Sequence, residues 1–298
     1  MGYLFLAISL FAGATKGYCG KMTSGYVKGY KDAMFANTIR MALCIVIGLG
    51  MILFNGNMSD IVPSAALLGV SALSGITTSV FVVCWLISVK KGAYMMLDVF
   101  LMLGVLVPLL AGELFFNESI RVTQWIGIGI LLIAVYIMCT YNNSIKGKMS
   151  ITSLVLLIVC GVANGLTDFS QKLFVKMDSG VPIAIFNFYT YIFSAITLVV
   201  FYCIFSKIEK TDGGNQVSSV RKIFGYILVM SVCLFASSYF KTMAAGYLDS
   251  AKLYPLNQGA SLILSSVMSA TLFHERLTLK CVVGIVIAFI GLIVLNVL

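Results

Sequence analysis

Apolar residues in this chain come in long runs separated by short polar stretches. Ten runs approach the ~20 residues that a helix needs to cross a hydrocarbon core. They cover 2–21, 33–54, 63–88, 93–115, 121–141, 151–175, 181–206, 222–247, 251–273 and 278–297. None alternates strictly between apolar and polar positions, as the ~10-residue strand of a membrane barrel would. The pattern predicts an all-α integral membrane protein with ten transmembrane helices. The longest polar stretch is 207–222, KIEKTDGGNQVSSVRK, followed by 20–32 and 142–150. None of these can hold a folded domain, so the activity must lie inside or across the bilayer.

The two halves resemble each other. A shift of 157 residues lays Phe116, Glu118, Gly127, Ile128, Ile130 and Ile133 over Phe273, Glu275, Gly284, Ile285, Ile287 and Ile290. A shift of 151 lays GATKGYCGK (13–21) over NGLTDFSQK (164–172) and pairs Lys21 with Lys172. The chain divides into two five-helix repeats, 1–145 and 146–298. Five is odd, so the second repeat starts from the opposite face of the membrane. Inverted repeats are the architecture of alternating access, with a site near the midplane between the copies.

Composition agrees with this pattern. Of 298 residues, 60% are apolar and 10% charged, whereas soluble domains are about 45–50% apolar and 25% charged. That excludes a soluble enzyme, a disordered chain and a secreted disulfide scaffold. The 8 Cys lie mostly within apolar runs and lack metal or redox spacing, so they read as small buried hydrophobes. A single His rules out a multi-His metal site. No cofactor is implied. The first apolar run carries Lys16 and lacks a clear cleavage site, so it reads as a retained helix.

The sequence resembles the drug/metabolite transporter superfamily, in its ten-helix branch of two EamA-type repeats. The resemblance spans essentially the whole chain. It rests on an Arg in helix 2 (FANTIRMAL) and on the helix connections ISVKKGAYMML and AAGYLDSAKLYPL. Acidic turns, FFNES and FHERLT, precede the glycine-bearing helices 5 and 10. The resemblance implies an exporter or exchanger of metabolites, amino acids, sugar-nucleotides or drugs. Small four-helix relatives use a membrane-embedded Glu on helix 1. Here helix 1 has Lys16 and no acid, which argues against cation–proton antiport of their type.

The net charge of +9 has a location. Of the 20 Lys and Arg, thirteen fall in odd-numbered loops: Lys21, Lys28, Lys31, Lys90, Lys91, Lys146, Lys148, Lys207, Lys210, Arg221, Lys222, Arg276 and Lys280. Four fall in even loops, namely Arg121, Lys172, Lys176 and Lys252, and three lie within helices. Cytoplasmic loops carry the Lys/Arg excess. The skew places the odd loops in the cytoplasm of a cell (plasma) membrane protein and both termini outside.

Ionisable groups inside a bilayer are costly and mark functional sites by default. Asp168 shares a helical face with Asn164 and Gln171, and is the candidate proton or amine partner. Lys241, Lys16 and Arg40 are candidates for anionic groups, and Asp98 for pairing with Arg40 or Lys16. Lys241 could pair with Asp168. Snorkelling to headgroups, interfacial placement and structural ion pairing are the plain alternatives. Asn187, Asn257 and Gln258 could bind a polar ligand or bridge helices. Tyr94, Trp85, Tyr189, Tyr239 and Tyr254 are candidate cavity walls. Glu113, Glu118 and Glu275 read as charges at the start of the following helix, with Thr278 as an N-cap. Pro108 predicts a kink in the fourth span, and Pro255 follows the start of the ninth. Gly284 and Ala288 form a small-xxx-small face on helix 10 and Gly127 begins a matching patch on helix 5, which read as close helix packing.

These features favour a secondary active transporter, exporting or exchanging a small polar metabolite such as an amino acid or organic anion. The coupling would be to a proton or a counter-substrate, since no GxxxxGK[ST] loop is present. The alternative is a broad-specificity lipophilic drug exporter of the same fold. An enzyme is disfavoured by the lack of a catalytic constellation. The expected partners are the substrate and membrane lipid; nucleic acid is not expected, and a homodimer is compatible with the sequence.

Overall fold

The computed structural model describes all residues except 28, 56–60, 91–93, 146–150, 178–179, 209–215, 274–278 and 298. The described chain is helical, with α1 at Gly2–Ser24, α2 at Tyr30–Phe54, α3 at Ala65–Lys90, α4 at Tyr94–Gly104 and α5 at Leu106–Phe116. The second half continues with α6 at Val122–Ile145, α7 at Ile151–Lys176, α8 at Ile183–Ile208, α9 at Gln216–Ala245, α10 at Ser250–Thr271 and α11 at Leu279–Val297. No strand occurs among the described residues.

Each of the ten expected spans is helical, and one is broken. The run expected over 93–115 is α4 and α5, interrupted at Val105. Pro108 has no N–H to offer the Gly104 carbonyl four residues back, so the helix parts there. Among the described residues, Tyr30–Phe54, Ala65–Lys90, Ile151–Lys176, Ile183–Ser206 and Arg221–Ala245 are long and apolar enough to cross a membrane by themselves. Phe100–Phe116, Val122–Ala134 and Val282–Val294 are apolar but shorter. Helices α1 and α10 are long enough but less apolar, because Lys16 on α1 and Asn257, Gln258 and a row of serines on α10 face a central cavity. The outer surface is the reverse, with Val46, Leu53, Val155, Ile196, Val232 and Phe289 exposed as a lipid-facing coat.

The helix contacts carry the repeat. Helix α1 packs on α9 as α7 packs on α3, and α2 packs on α9 as α8 packs on α3. Likewise α10 meets α1 and α11 as α4 meets α7 and α6, while α2 pairs with α8 and α6 with α11. Renaming α1, α2, α3, α4–α5 and α6 as α7, α8, α9, α10 and α11, and the reverse, exchanges these contacts in pairs and maps α2–α8 and α6–α11 onto themselves. Two repeats related by a two-fold axis give this exchange, and the odd number of spans per repeat inverts the second. The repeat boundary after residue 145 falls at 146–150, outside the described residues.

Small residues set the closest approaches. A Cβ on Gly104 would stand 2.0 Å from the Gly161 carbonyl oxygen, and one on Gly165 would stand 2.1 Å from the Gly104 carbonyl oxygen. Helices α4 and α7 therefore cross backbone to backbone, as small-xxx-small faces allow in lipid. On α3, a Cβ on Gly75 would meet the Thr190 carbonyl of α8 at 2.5 Å. One turn further on, the Ser79 and Ser194 hydroxyls hydrogen-bond at 2.8 Å. In the α6–α11 contact a Cβ on Gly291 would stand 3.2 Å from the Gly127 carbonyl, and Gly284 and Ala288 on α11 are buried.

Candidate functional site

A cavity of about 90 Å³ lies between the repeats, walled by α1, α3 and α4 from the first and α7, α9 and α10 from the second. Helix α1 makes the room. Gly13, Ala14 and Gly17 line the cavity, and the small side chains let Lys16 project between them. The Lys16 ammonium stands 5.9 Å from the Phe81 ring centroid, and Trp85 completes that wall. From α10, Asn257, Ser261 and Ser265 follow at i, i+4 and i+8, one helical face turned to the cavity with Gln258 beside it. Asp98 enters from α4, with Ser265 as its hydrogen-bond neighbour and Lys16 as the nearby cation.

One turn of α7 forms a buried polar layer behind the cavity. Asp168 is completely buried. Its Oδ1 pairs with Lys241 Nζ, and its Oδ2 accepts from Asn164 Nδ2 at 3.4 Å. Gln258 is a further hydrogen-bond neighbour of this carboxylate. The Tyr254 hydroxyl donates to the Asp168 main-chain carbonyl at 2.7 Å. Three helices, α7, α9 and α10, are thus tied at one residue. One turn along, Gln171 Nε2 donates to Ser238 Oγ at 3.1 Å, and Ser238 Oγ donates to Asn187 Oδ1 at 3.0 Å.

Closer to the α9–α10 turn is a second charged layer. Asn117 adopts φ 52° and ends α5 in a left-handed cap, a conformation Asn tolerates. The Glu118 N–H then bonds the Gly112 carbonyl at 3.1 Å, which turns the Glu118 side chain inward. Glu118 pairs with Lys172 at 2.9 Å and Lys176 at 3.3 Å, and accepts the Ser250 N–H at 2.8 Å. Lys172 also donates to the carbonyls of Ala245 and Leu248 at 3.0 and 2.8 Å. Burial alone would raise the Glu118 carboxyl, but Ser250 and Lys172 outweigh it and hold the group below its ordinary value.

The cavity thus gathers Lys16, Asp98, Asn164, Lys241, Asn257 and Gln258, with Asp168 directly behind Lys241. Two candidates lie elsewhere. Arg40 is buried between α2, α8 and α9, where Nη1 donates to Asn37 Oδ1 at 3.2 Å and Nε has no partner. It does not pair with Asp98. Asn187 is wholly buried in the Ser238 network, with its Nδ2 unpartnered. The Tyr94 side chain lies outside the described residues, as do Glu275 and Thr278. Among the described aromatic candidates only Trp85 lines the cavity. Tyr254 is buried against Asp168, Tyr189 donates to the Ile61 carbonyl at 2.6 Å, and Tyr239 packs on Phe235 and Phe240. Glu118 serves the start of α10, in the other repeat, and not the next helix α6. Lys172, counted from sequence as a loop cation, is a buried helix residue. Ser261 and Ser265 also belong to the cavity wall, at a four-residue spacing from Asn257 that the sequence displays.

A ten-span helical bundle of inverted repeats around a polar cavity is an architecture that membrane transporters use. Residues 151–297 match the family described as the EamA-like transporter family. That match covers 147 of the 298 residues and is consistent with a member of the drug/metabolite transporter superfamily, and with its apolar helices the chain is a multi-pass membrane protein. A crystal structure of a protein 12% identical in sequence superposes with a TM-score of 0.72, over 99% of this chain and 96% of its own. At that identity the likeness concerns the fold. Among the curated proteins none matches.

Proposed function

We propose that the protein is a secondary active transporter that exports or exchanges a small polar metabolite, such as an amino acid or organic anion, by alternating access. The observation that carries this reading is the cavity between the repeats, which presents Lys16, Lys241 and Asp98 with amides and hydroxyls around them. Charges held inside a membrane at such cost mark a substrate or ion pathway. Drug-sized pockets are about 300–1,000 Å³ and mostly apolar. A cavity of about 90 Å³ with this lining supports the polar-metabolite reading over broad drug export. The repeats 1–145 and 146–298 would rock against each other around it, in the plasma membrane and without an enzymatic step. Asp168 is the candidate for proton coupling, since its protonation would release Lys241.

The test is flux in proteoliposomes under an imposed proton or counter-substrate gradient. A panel of amino acids, organic anions and lipophilic cations should show accumulation of a polar member. Movement of none of them, with correctly folded protein, rejects the reading. Inhibition by many unrelated hydrophobic cations would favour the drug exporter.

A further inference from the structure

We propose that the central cavity binds a short organic anion of net charge −1, with Lys16 holding its carboxylate and Asn257 donating a hydrogen bond beside it. This rests on the transporter reading of the same cavity and narrows its substrate class.

The argument begins with unmatched charge. Apart from Lys172, which is paired with Glu118, the described interior holds three cations within spans, Lys16, Arg40 and Lys241, and two acids, Asp98 and Asp168. Asp168 is taken by Lys241. Asp98 leans on Ser265 and attracts Lys16 from across the cavity without closing an ion pair, and the Lys16 ammonium lies over the Phe81 ring. Arg40 has Asn37 and no acid. One positive charge is therefore in excess, at a depth where an uncompensated charge is expensive. Lys16 is the excess cation that faces open space. A bound carboxylate neutralises it, whereas a cationic ligand adds a like charge and a neutral one leaves the excess in place.

Asn257 is the independent observation. It is 8% exposed, lies on the cavity wall and makes no side-chain hydrogen bond among the described residues. Its amide is open to the cavity, and its N–H₂ group suits a carboxylate oxygen. Size sets the rest. A cavity of about 90 Å³, well below the roughly 300–1,000 Å³ of drug-sized pockets, admits only a ligand of a few non-hydrogen atoms. That is the scale of a short hydroxy or keto acid. Asp98, across the same cavity, can accept from a hydroxyl next to the carboxylate.

The chain has 2 Trp, Trp85 and Trp125. A Trp125→Phe background therefore leaves Trp85, on the cavity wall, as the sole reporter. In the purified full-length protein, propionate, lactate and 2-oxobutanoate should change Trp85 emission saturably and raise the melting temperature. Propionamide, propylamine and chloride should not. Lys16→Gln should weaken carboxylate binding roughly tenfold or more, as loss of a charged hydrogen bond does. Lys16→Arg should retain most of it, and Asn257→Ala should weaken it severalfold. Folding is controlled internally, because unliganded Lys16→Gln should melt no lower than the parent. The proposal falls if no carboxylate binds, if amide or amine binds as well, or if Lys16→Gln binds carboxylate unchanged. Flux separates the two readings. Transport of a neutral or cationic probe without carboxylate binding overturns the anion site and keeps the transporter. Carboxylate binding at Lys16 with no flux of any compound does the reverse.

Discussion

At the scale of single residues, Asp168 and Lys241 decide whether the polar layer is support or machinery. The pair lies almost entirely out of water, with Asp168 at 0% and the Lys241 side chain at 12% exposure. Removing one partner of such a pair leaves a buried charge and costs about 3–5 kcal/mol, whereas replacing both by uncharged groups is often neutral. Asp168→Asn and Lys241→Met should each lower the melting temperature in detergent, and the double variant should recover most of that loss. A double variant less stable than both singles would show that the pair contributes net stability. The coupling role is read separately, in proteoliposomes. If Asp168 carries the proton, the recovered double variant is folded yet shows no pH-dependent uptake, and unchanged pH dependence removes Asp168 from that role. The residue types at this site were legible in the sequence because ionisable groups inside apolar runs stand out. Their partners were not. Pairing depends on helix rotation and crossing depth, and several pairings were open to Asp98, Asp168, Lys16, Lys241 and Arg40. The structure joins Asp168 to Lys241 and leaves Arg40 beside Asn37.

At the scale of elements, two contacts fix how the spans meet. The first is the crossing of α4 and α7 at Gly104, Gly161 and Gly165. A Cβ at Gly104 would need to share space with the Gly161 carbonyl, and backbone cannot swing aside as a side-chain tip can. Gly104→Ala and Gly161→Ala should each destabilise by about 1–3 kcal/mol or more, as overpacking does, while Gly129→Ala, with open space around it, should be close to neutral. Thermal unfolding of the three variants checks this. The second contact is Glu118 at the start of α10. An anion there meets the positive end of the helix dipole and a free N–H, and it also compensates the buried Lys172. Its carboxyl is depressed in the folded state, so its stabilisation is present above the ordinary value of 4.5 and is lost as pH falls below that toward the folded value. The melting temperature of the parent should therefore drop on acidification below about pH 4.5. Glu118→Gln should start lower and show a shallower drop, and an identical acid limb in both proteins would exclude Glu118 as its source. The spans themselves were readable from apolar run length. The crossings were not, since Gly104 and Gly161 are each unexceptional in sequence and matter only because the two helices meet there.

At the scale of the whole molecule, the two-fold relation gives each end of the bundle a related closure. Tyr18 stacks on Phe273 at 5.8 Å, and Phe169 stacks on Phe116 at 6.2 Å. The internal alignments place Tyr18 over Phe169 and Phe116 over Phe273, so one aromatic contact is built twice, at opposite faces. Lys21 lies over the Phe273 ring and Lys176 over Phe116, at 5.7 and 5.9 Å. The faces differ in charge, and that difference carries the orientation. Thirteen Lys and Arg belong to the odd loops against four in the even loops. One of those four, Lys172, is buried in its pair with Glu118 and exposes no charge to the membrane surface. Removing it leaves three against thirteen, so the burial strengthens the skew that the sequence displayed. By the positive-inside rule this skew predicts cytoplasmic odd loops, and an even number of spans would then put both termini on the other side. A C-terminal reporter active only in the cytoplasm should therefore be silent, and one placed in the 207–222 loop should be active. The opposite pattern would reverse the orientation. Activity of both reporters would mean insertion in two orientations, and would show that thirteen cations against three do not fix the direction of this inverted pair of repeats.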